Sequence, residues 1–368
     1  MLLRPSQRIM DKEVWITLKT TNTRRVKLQD IAAKTGYSIN TVSHALRGMP
    51  DISAATAGHI REVARAMGYT PNQVASSLRS GHTRTLAVIL GSMSNPFYGL
   101  MTDTIQDAAM QSGYTLMIMC ARDDAALEYH LAEQAIARRA DGLLLFPTGQ
   151  SQPTIQRLRE ARMPFVLMSR YLERDQADCV ICDEEQGAYL ATRHLLEHGL
   201  RRLAYVSGST VIFSSEQRIR GFLRACDEAD LPPANRRICV MSGHPAAKRQ
   251  PKYGMIPAER LLALKRDGFD GLFIFCDVQA WHVLNILRTS NELRPRDFGI
   301  VSFDNIEGAL SFPISLCSID CDYEQMAQHG IELLRARIGG DTRPPQTIVC
   351  PVRLVCRGSC NRNSSAEC

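Results

Sequence analysis

Short polar stretches follow several apolar runs of the chain, and they hold the side chains best suited to bind or transform a small molecule. These stretches are Ser92–Asn95, Ser169–Arg170, Ser207–Ser209, Cys276–Asp277 and Asp304–Asn305. Their hydroxyl, amide, guanidinium and carboxylate groups can all hydrogen-bond a polar ligand. Because ligands collect at the carboxyl ends of parallel strands, we expect a binding cleft where these stretches meet.

No catalytic arrangement accompanies these polar groups. The sequence has no GxGxxG motif after the first apolar run, no phosphate loop ending in Gly-Lys-Ser/Thr, no Gly-x-Ser-x-Gly elbow and no His-Glu-x-x-His. We therefore predict a protein that binds a small molecule without a cofactor and that is not an enzyme.

The 12 cysteines are scattered along the chain rather than grouped in a short framework. The most closely spaced pair, Cys179 and Cys182, lies in an apolar stretch without a neighbouring His or Lys that would lower a thiol pKa. We expect reduced, mostly buried thiols and no metal site.

From Thr85 onward, apolar runs alternate with segments of helical periodicity. Strands are predicted at Leu86–Leu90, Leu116–Met119, Leu143–Phe146, Phe165–Met168, Leu203–Val206, Ile238–Met241, Leu272–Phe275 and Ile300–Phe303. Helices are predicted between them, for example over 97–111, 185–197 and 216–229. This alternation predicts parallel sheets covered on both faces, and the break around 171–183 divides the strands between two sheets.

Three short helices are predicted near the N-terminus, each with a periodic apolar face. The first begins at Leu28 and is stopped by Gly36, the second is capped by Ser38 and ends before Gly48, and the third covers 53–67. Helices this short need a shared core, so they form one small bundle.

The segment 26–48, VKLQDIAAKTGYSINTVSHALRG, resembles the head of LacI/GalR transcriptional regulators in residue types and spacing. The resemblance implies an N-terminal all-α helix-turn-helix head plus an α/β two-lobed periplasmic-binding-protein-like sensing domain. In such a head the second helix enters the major groove of DNA. The resemblance assigns base edges to Ile39, Asn40 and His44, and phosphates to Ser38, Thr41 and Ser43.

His44 departs from the family pattern. Relatives usually carry Arg at this position, which can grip a guanine through two hydrogen bonds. A His offers one donor or acceptor and is mostly neutral at pH 7. The operator sequence therefore does not follow from the resemblance.

The resemblance continues through 69–81, which looks like the family's hinge. The stretch 72–81 is too short and polar to hold a helix alone in water. In the family a hinge helix folds on the operator and its Leu, here Leu78, enters the minor groove as a wedge. The alternative is that Leu78 packs between domains.

The match covers about 26–357 and also implies which residues line the cleft. An Arg and an Asp that face each other suit a hydroxylated or anionic metabolite. The predicted effector-binding residues are Asn95, Phe97, Tyr98, Ser214, Arg218, Asp277 and Asp304. Ordinary core packing is the alternative for Phe97 and Tyr98, a surface ion pair for Arg218, and a turn or cap for Asp304.

Two features keep the effector's identity open, although a sugar or sugar derivative is the expected class. The family often has Asn where this chain has Cys276. The basic segment 243–253 lacks the family's aromatic clamp and is either a surface loop or a binding loop for an anionic effector.

Positive charge is concentrated at the N-terminal end. Residues 1–84 hold 13 basic and 5 acidic residues, a net charge of +8, whereas the other 284 residues hold 31 basic and 33 acidic residues, a net charge of −2. A basic end on a nearly neutral body predicts a polyanionic partner, here double-stranded DNA.

The 368 residues suggest two or three domains. We predict a flexible leader over 1–25, the helix-turn-helix over 26–70, the hinge over 71–84, the two-lobed effector-binding and dimerisation domain over 85–357, and a flexible tail over 358–368. No apolar run reaches the length of about 18 residues that a membrane span needs. We expect a cytoplasmic homodimer, because two recognition helices on one duplex need a two-fold relation. A small-molecule sensor whose degenerate head no longer binds DNA is the alternative.

Overall fold

The computed structural model describes residues 26–70, 81–170, 177–207, 213–241, 255–306 and 315–361. The chain divides into two compact units, Met1–Ser76 and Ser77–Cys368, which we call the head and the body. The leader 1–25, Leu78 with most of the hinge, and the whole basic segment 243–253 lie outside the described residues. No helix in the described ranges is long and apolar enough to span a membrane.

The head is a bundle of three helices: α1 Leu28–Thr35, α2 Ile39–Arg47 and α3 Ala54–Ala66. Gly36 ends α1 in the left-handed conformation, with a φ of 76° that glycine adopts without strain. The Ser38 side chain accepts a hydrogen bond from the Thr41 backbone N–H and so caps α2. The helices bury one small apolar core formed by Ile31, Ala32, Val42, Ala45, Ala57, Ile60 and Ala64. The predicted helix-turn-helix is confirmed.

The body contains two sheets of six strands each. The strands are β1 Thr85–Leu90, β2 Thr115–Cys120, β3 Gly142–Leu145, β4 Phe165–Met168, β5 Cys179–Cys182, β6 Leu203–Ser207, β7 Arg236–Val240, β8 Gly271–Ile274, β9 Gly299–Phe303, β10 Cys317–Asp320, β11 Thr347–Cys350 and β12 Arg353–Val355. The first sheet has the order β11-β5-β4-β3-β1-β2 and the second has the order β12-β10-β9-β8-β6-β7. All pairs are parallel except β10 with β12. We call the two halves lobe 1 and lobe 2, and the predicted two-lobed α/β architecture is confirmed.

Helices connect the strands and cover both sheets. They are α4 Pro96–Gln111, α5 Ala125–Ala137, α6 Gln152–Glu160, α7 Glu184–Glu197, α8 Phe213–Glu228, α9 Ala258–Arg266, α10 Asp277–Thr289 and α11 Tyr323–Ile338, with short 3-10 turns at Pro233–Asn235 and Pro295–Asp297. Nearly all residues of β1, β3, β6, β8 and β9 are buried, as parallel strands covered on both faces require.

The body extends further in both directions than the predicted boundaries. The backbone N–H groups of Thr83 and Arg84, assigned to the hinge, donate to the carboxylate of Asp141. The assignment of 358–361 to a flexible tail was wrong, because Ser359 bonds to β9 and Cys360 is fully buried. The polar composition of 358–361 had suggested a flexible tail, but Cys360 of this segment is part of the core of lobe 2.

The close approach of α7 and α8 in lobe 2 depends on Gly221. A Cβ atom at this position would lie 2.0 Å from the backbone oxygen of Glu185, so any side chain here must push the two helices apart. Gly99 on α4 is also helical, yet a Cβ there would meet nothing within 4 Å.

We predict that Gly221→Ala lowers the stability of the body by about 1–3 kcal/mol through overpacking. Gly99→Ala is the matched control and should be neutral or stabilising by up to about 1 kcal/mol, because Ala favours the helix. Thermal unfolding of the full chain measures both effects. A Gly221→Ala midpoint equal to or above that of the parent would contradict the packing described here.

Candidate functional site

A cavity of about 430 Å³ lies between the lobes of the body, where the carboxyl ends of both sets of strands converge. Six of the seven predicted cleft residues line it, namely Asn95, Phe97, Tyr98, Ser214, Arg218 and Asp304. We call this space the effector cavity. The strand-end rule for open parallel sheets therefore located the cavity.

Arg218 is a buried side chain of the cavity wall with several protein partners. Its Nε donates to Glu184 Oε2 at 2.6 Å, and its Nη1 donates to the backbone oxygen of Phe275. Its guanidinium lies 3.6 Å from the centre of the Phe303 ring. Burial alone would lower the pKa of Arg218, but the carboxylates of Glu184 and Asp304 raise it above its usual value. Arg218 is therefore a buried cation whose bonds hold the cavity wall together, and not a surface ion pair.

Asp304 presents its carboxylate to the cavity. Its backbone has a φ of 102°, and its carbonyl oxygen accepts a hydrogen bond from the Tyr323 hydroxyl. The carboxylate Oδ1 lies 3.9 Å from Arg218 Nη2, too far for a direct hydrogen bond. Burial is the main reason why the pKa of Asp304 lies well above its usual value. A ligand hydroxyl could supply the hydrogen bond that this buried carboxyl group favours.

An aromatic wall closes the lobe 1 side of the cavity. Asn95 caps α4 by accepting a hydrogen bond from the Phe97 backbone N–H at 3.0 Å. The Phe97 ring packs edge-on against Tyr98, Phe146 and Tyr323, with ring centres 5.1–6.4 Å apart. Burial raises the pKa of Tyr98 to about 12, so this residue remains a neutral phenol. Phe97 and Tyr98 therefore line the cavity and also pack against the hydrophobic core.

Asp277 does not line the effector cavity, and its assignment to the ligand site was wrong. Its Oδ1 accepts a hydrogen bond from the Ser318 hydroxyl at 2.6 Å and one from the Ser302 hydroxyl. Its Oδ2 accepts from the Ile306 backbone N–H at 2.7 Å. Asp277 is fully buried and fastens the start of α10 to β9 and β10. Burial raises its pKa to about 6 despite these hydrogen bonds.

Several cavity residues were not among the predicted contacts. Glu184 follows β5, a strand that the sequence analysis did not identify, and Asp123 follows β2. Ser169 and Arg170 follow β4, in a polar stretch that was expected at the cleft but was not among the residues assigned to the effector. The Ser169 Oγ is buried without a hydrogen-bond partner among the described residues, so it can bond to a ligand.

The exposed surface of α2 in the head carries the residues predicted to contact DNA. Ser38, Ile39 and Asn40 are exposed, and Thr41, Ser43 and His44 are partly exposed. Ile39 is 50% exposed, whereas Val42 and Ala45 of the same helix are buried in the core of the head. The predicted DNA contacts lie at the N-cap and in the first six positions of α2.

His44 has a partner that the sequence analysis did not anticipate. Its Nδ1 lies 2.6 Å from Asp51 Oδ2 in the turn between α2 and α3. An ionised carboxylate only accepts hydrogen bonds, so Nδ1 carries the proton and donates. In neutral His44, Nε2 is then left as a hydrogen-bond acceptor.

Profiles of three protein families match the chain. Residues 27–72 match bacterial regulatory proteins of the lacI family. Residues 83–250 match the periplasmic binding proteins and sugar binding domain of the LacI family, and residues 192–360 match a periplasmic binding protein-like domain.

The relatives with curated names include transcriptional repressors. The HTH-type transcriptional repressor PurR of Aliivibrio salmonicida is 27% identical over 312 residues, which cover 84% of this chain and 92% of that protein. The repressor of the same name from Actinobacillus pleuropneumoniae serotype 3 is 25% identical over 90% of this chain and 97% of its own length.

Solved structures with a similar fold include the lac repressor dimer bound to its operator, with a TM-score of 0.74 and 20% identity over 92% of this chain and 100% of that one. A transcriptional regulator CelR in complex with cellobiose has a TM-score of 0.63 and 24% identity over 91% of this chain and 100% of that one. A LacI-type regulator of Alkaliphilus metalliredigens, complexed with D-xylulofuranose, has a TM-score of 0.61 and 25% identity over 74% of this chain and 97% of that one.

The different settings of the two aspartates can be tested by substitution. We predict that Asp277→Ala destabilises the body by about 1–3 kcal/mol, because the buried donors that Asp277 satisfies lose their acceptor. Asp304→Ala should cost less, because Asp304 accepts no direct hydrogen bond from Arg218 at 3.9 Å. Thermal unfolding of both variants gives the comparison, and a smaller loss for Asp277→Ala than for Asp304→Ala would contradict it.

The raised pKa of Asp277 also predicts how the stability of the fold changes with pH. The folded chain holds the Asp277 proton more tightly than the unfolded chain, so this group stabilises the fold below its usual pKa of 3.8 and loses that contribution as the pH rises through about 6. Asp277→Asn should remove this part of the dependence between about pH 4 and 6. An unchanged pH profile of the unfolding midpoint would show that Asp277 does not carry it.

Proposed function

Because the chain belongs to the LacI family of bacterial regulatory proteins, we propose that it is a transcriptional repressor whose operator affinity is controlled by a small, neutral, polyhydroxylated metabolite. The observation that carries this proposal is the effector cavity, in which the buried Asp304 carboxylate faces a space lined by hydroxyl groups and aromatic rings. Its volume of about 430 Å³ suits one small molecule.

The charge balance of the cavity favours a neutral ligand. Three carboxylates, those of Asp123, Glu184 and Asp304, line it together with two guanidinium groups, those of Arg170 and Arg218. Arg218 is already bonded to Glu184, which leaves Arg170 as the cation best placed to meet a ligand. A phosphorylated metabolite would bring its negative charge near the carboxylates of Asp123 and Glu184, whereas the hydroxyl groups of a sugar could hydrogen-bond to all three carboxyl groups.

The aromatic wall supports the same class of ligand. A sugar ring has an apolar face of C–H groups and a rim of hydroxyls, so it can pack on Phe97 while its hydroxyls reach Ser169 and Asp304. The sugar-bound regulators from the comparison carry such ligands, one cellobiose and one D-xylulofuranose. A sugar or sugar derivative is therefore the effector class that we propose.

The head supplies the DNA-binding part of the proposed function. Ile39, Asn40 and His44 would meet base edges, and Ser38, Thr41 and Ser43 would lie near phosphates. The exposed Ile39 side chain suits the methyl group of a thymine. We propose a homodimer, because two heads must be related by a two-fold axis to read a pseudo-palindrome. The structurally similar lac repressor binds its operator as a dimer.

We predict that a neutral sugar binds the purified full chain and that Asp304→Asn weakens this binding by up to about tenfold, since a hydrogen bond between the buried Asp304 carboxyl group and a sugar hydroxyl contributes about 0.5–1.5 kcal/mol. Calorimetric titration with neutral sugars, sugar acids, sugar phosphates and nucleosides measures the affinities. The control is Asp230→Asn, which removes an exposed carboxylate from the same lobe. Unchanged affinity in Asp304→Asn would place the ligand elsewhere, and binding of sugar phosphates alone would contradict the neutral class.

We also predict that Asp51 contributes to base choice through His44. With Asp51 in place, neutral His44 accepts at Nε2 and suits the amino group of adenine or cytosine in the major groove. Asp51→Ala removes the hydrogen bond that orients the His44 ring, and it should weaken the base preference at one position of each half-site. His44→Arg should change the preferred base at that position to guanine. Selection of DNA from a random pool by the full chain gives these preferences.

Glu62→Ala is the control for Asp51→Ala, because it removes the same charge from an exposed position of the head. It should strengthen binding to all sequences without changing the selected site. Identical selected sites for the parent, Asp51→Ala and His44→Arg would exclude His44 from the readout. Selection of no preferred sequence by the parent would indicate a sensor with a degenerate head.

A further inference from the structure

Four potential metal ligands meet in lobe 2, away from the residues that line the effector cavity. They are His194 on α7, Cys317 at the start of β10, and Cys356 and Cys360 in the segment after β12. Their ligand atoms all lie within 4.8 Å of one another. We call this group the Cys/His cluster. The proposed repressor function does not use any of its members.

The distances within the Cys/His cluster fit a tetrahedral thiolate site. The Sγ atoms of Cys317 and Cys356 are 3.5 Å apart, and those of Cys356 and Cys360 are 3.7 Å apart. Two thiolates bound to one zinc ion at about 2.3 Å in tetrahedral geometry are separated by about 3.8 Å. Both spacings are close to that value and far from the roughly 2.05 Å of a disulfide, so Cys356 is not bonded to Cys317 or to Cys360.

The fourth member supplies an unsatisfied nitrogen. The Nε2 atom of His194 is buried and has no hydrogen-bond partner among the described residues. An unpaired buried ring nitrogen costs free energy, whereas the same atom in a neutral imidazole is a common ligand of zinc. The His198 ring packs on His194, with ring centres 4.3 Å apart, and limits its rotation.

Backbone contacts place the sulfur atoms independently of any metal. The Arg357 backbone N–H donates to Cys317 Sγ at 3.2 Å, which favours a thiolate at that position. The Arg357 side chain bonds to Leu316 O, and Ser359 bonds to both the Cys317 N–H and Ile300 O. The segment 356–360 is thereby held against β9 and β10, with both of its cysteines directed to the cluster.

We propose that the reduced chain binds one Zn²⁺ through His194, Cys317, Cys356 and Cys360 in a closed, structural site. Three sulfur ligands and one imidazole match a common structural zinc set, and Cys356 and Cys360 have a spacing typical of zinc-binding pairs. No position remains for water or substrate, so the ion would not be catalytic. It would fasten the C-terminal segment to α7 and β10 and so stabilise lobe 2.

A disulfide bond at Cys356 would compete with metal binding. Cys356 is disulfide-bonded in the structure. A sulfur in a disulfide cannot serve as a thiolate ligand, so the site forms only when Cys356 is reduced. The test therefore uses the full chain purified under reducing conditions.

The first measurement is the metal content of the full chain, isolated with reductant from zinc-supplemented cells. We expect about one Zn²⁺ per chain, as for a closed structural site. Replacement by Co²⁺ should give the tetrahedral visible bands and the near-ultraviolet charge-transfer band of cobalt thiolates. Cys360→Ser and His194→Ala should each lower the zinc content severalfold, and a chelator should lower the unfolding midpoint of the parent.

Cys226→Ser and Cys239→Ser are the matched controls, since both remove a buried thiol of lobe 2 that lies outside the Cys/His cluster. They should retain the zinc even if they lower stability. If Cys360→Ser does not fold, the Co²⁺ spectrum of the parent and the zinc content of His194→Ala still decide the question. Absence of bound zinc and of cobalt–thiolate bands in the reduced parent would overturn the proposal, as would full zinc content in both cluster variants.

Discussion

The buried ion pair between Arg218 and Glu184 is the interaction on which the effector cavity depends. Arg218 joins α8 to the start of α7 through Glu184 and to the end of β8 through the Phe275 carbonyl, and it lies against the ring of Phe303. Loss of one partner would leave the other charge buried without compensation, which typically costs about 3–5 kcal/mol. The lobe 2 wall of the cavity is therefore part of the core of that lobe, and Arg218 holds this wall in place before a ligand enters.

This arrangement also explains why Asp304 rather than Arg218 is the better ligand contact. Arg218 has committed Nε and Nη1 to the protein, so a ligand has little to gain from it. Asp304 is buried beside this cation but too far away to be hydrogen-bonded by it. We propose that such a cavity favours ligands whose hydroxyl groups donate hydrogen bonds over anionic ligands.

Much of the fold could be predicted from the sequence, because apolar runs in parallel strands and the capping residues of the head are local signals. β5, β10, β11 and β12 were missed: β5 follows a polar break, and β10 has the sequence Cys-Ser-Ile-Asp, which is not an apolar run. The two aspartates could not be distinguished either. Asp277 and Asp304 both follow a strand, and only the packing of β9 against β10 shows that Ser302 and Ser318 enclose Asp277. The Cys/His cluster combines residues up to 166 positions apart, which no sequence spacing indicates.

The central claim is that the effector cavity and the operator-binding head are coupled. The most direct test is the dissociation constant of the bound sugar measured by calorimetry with and without a selected operator duplex. The account predicts that the operator changes this constant by about 5–150-fold, and linkage requires the sugar to change operator affinity by the same factor. Equal sugar affinity in the presence and absence of operator would contradict the account.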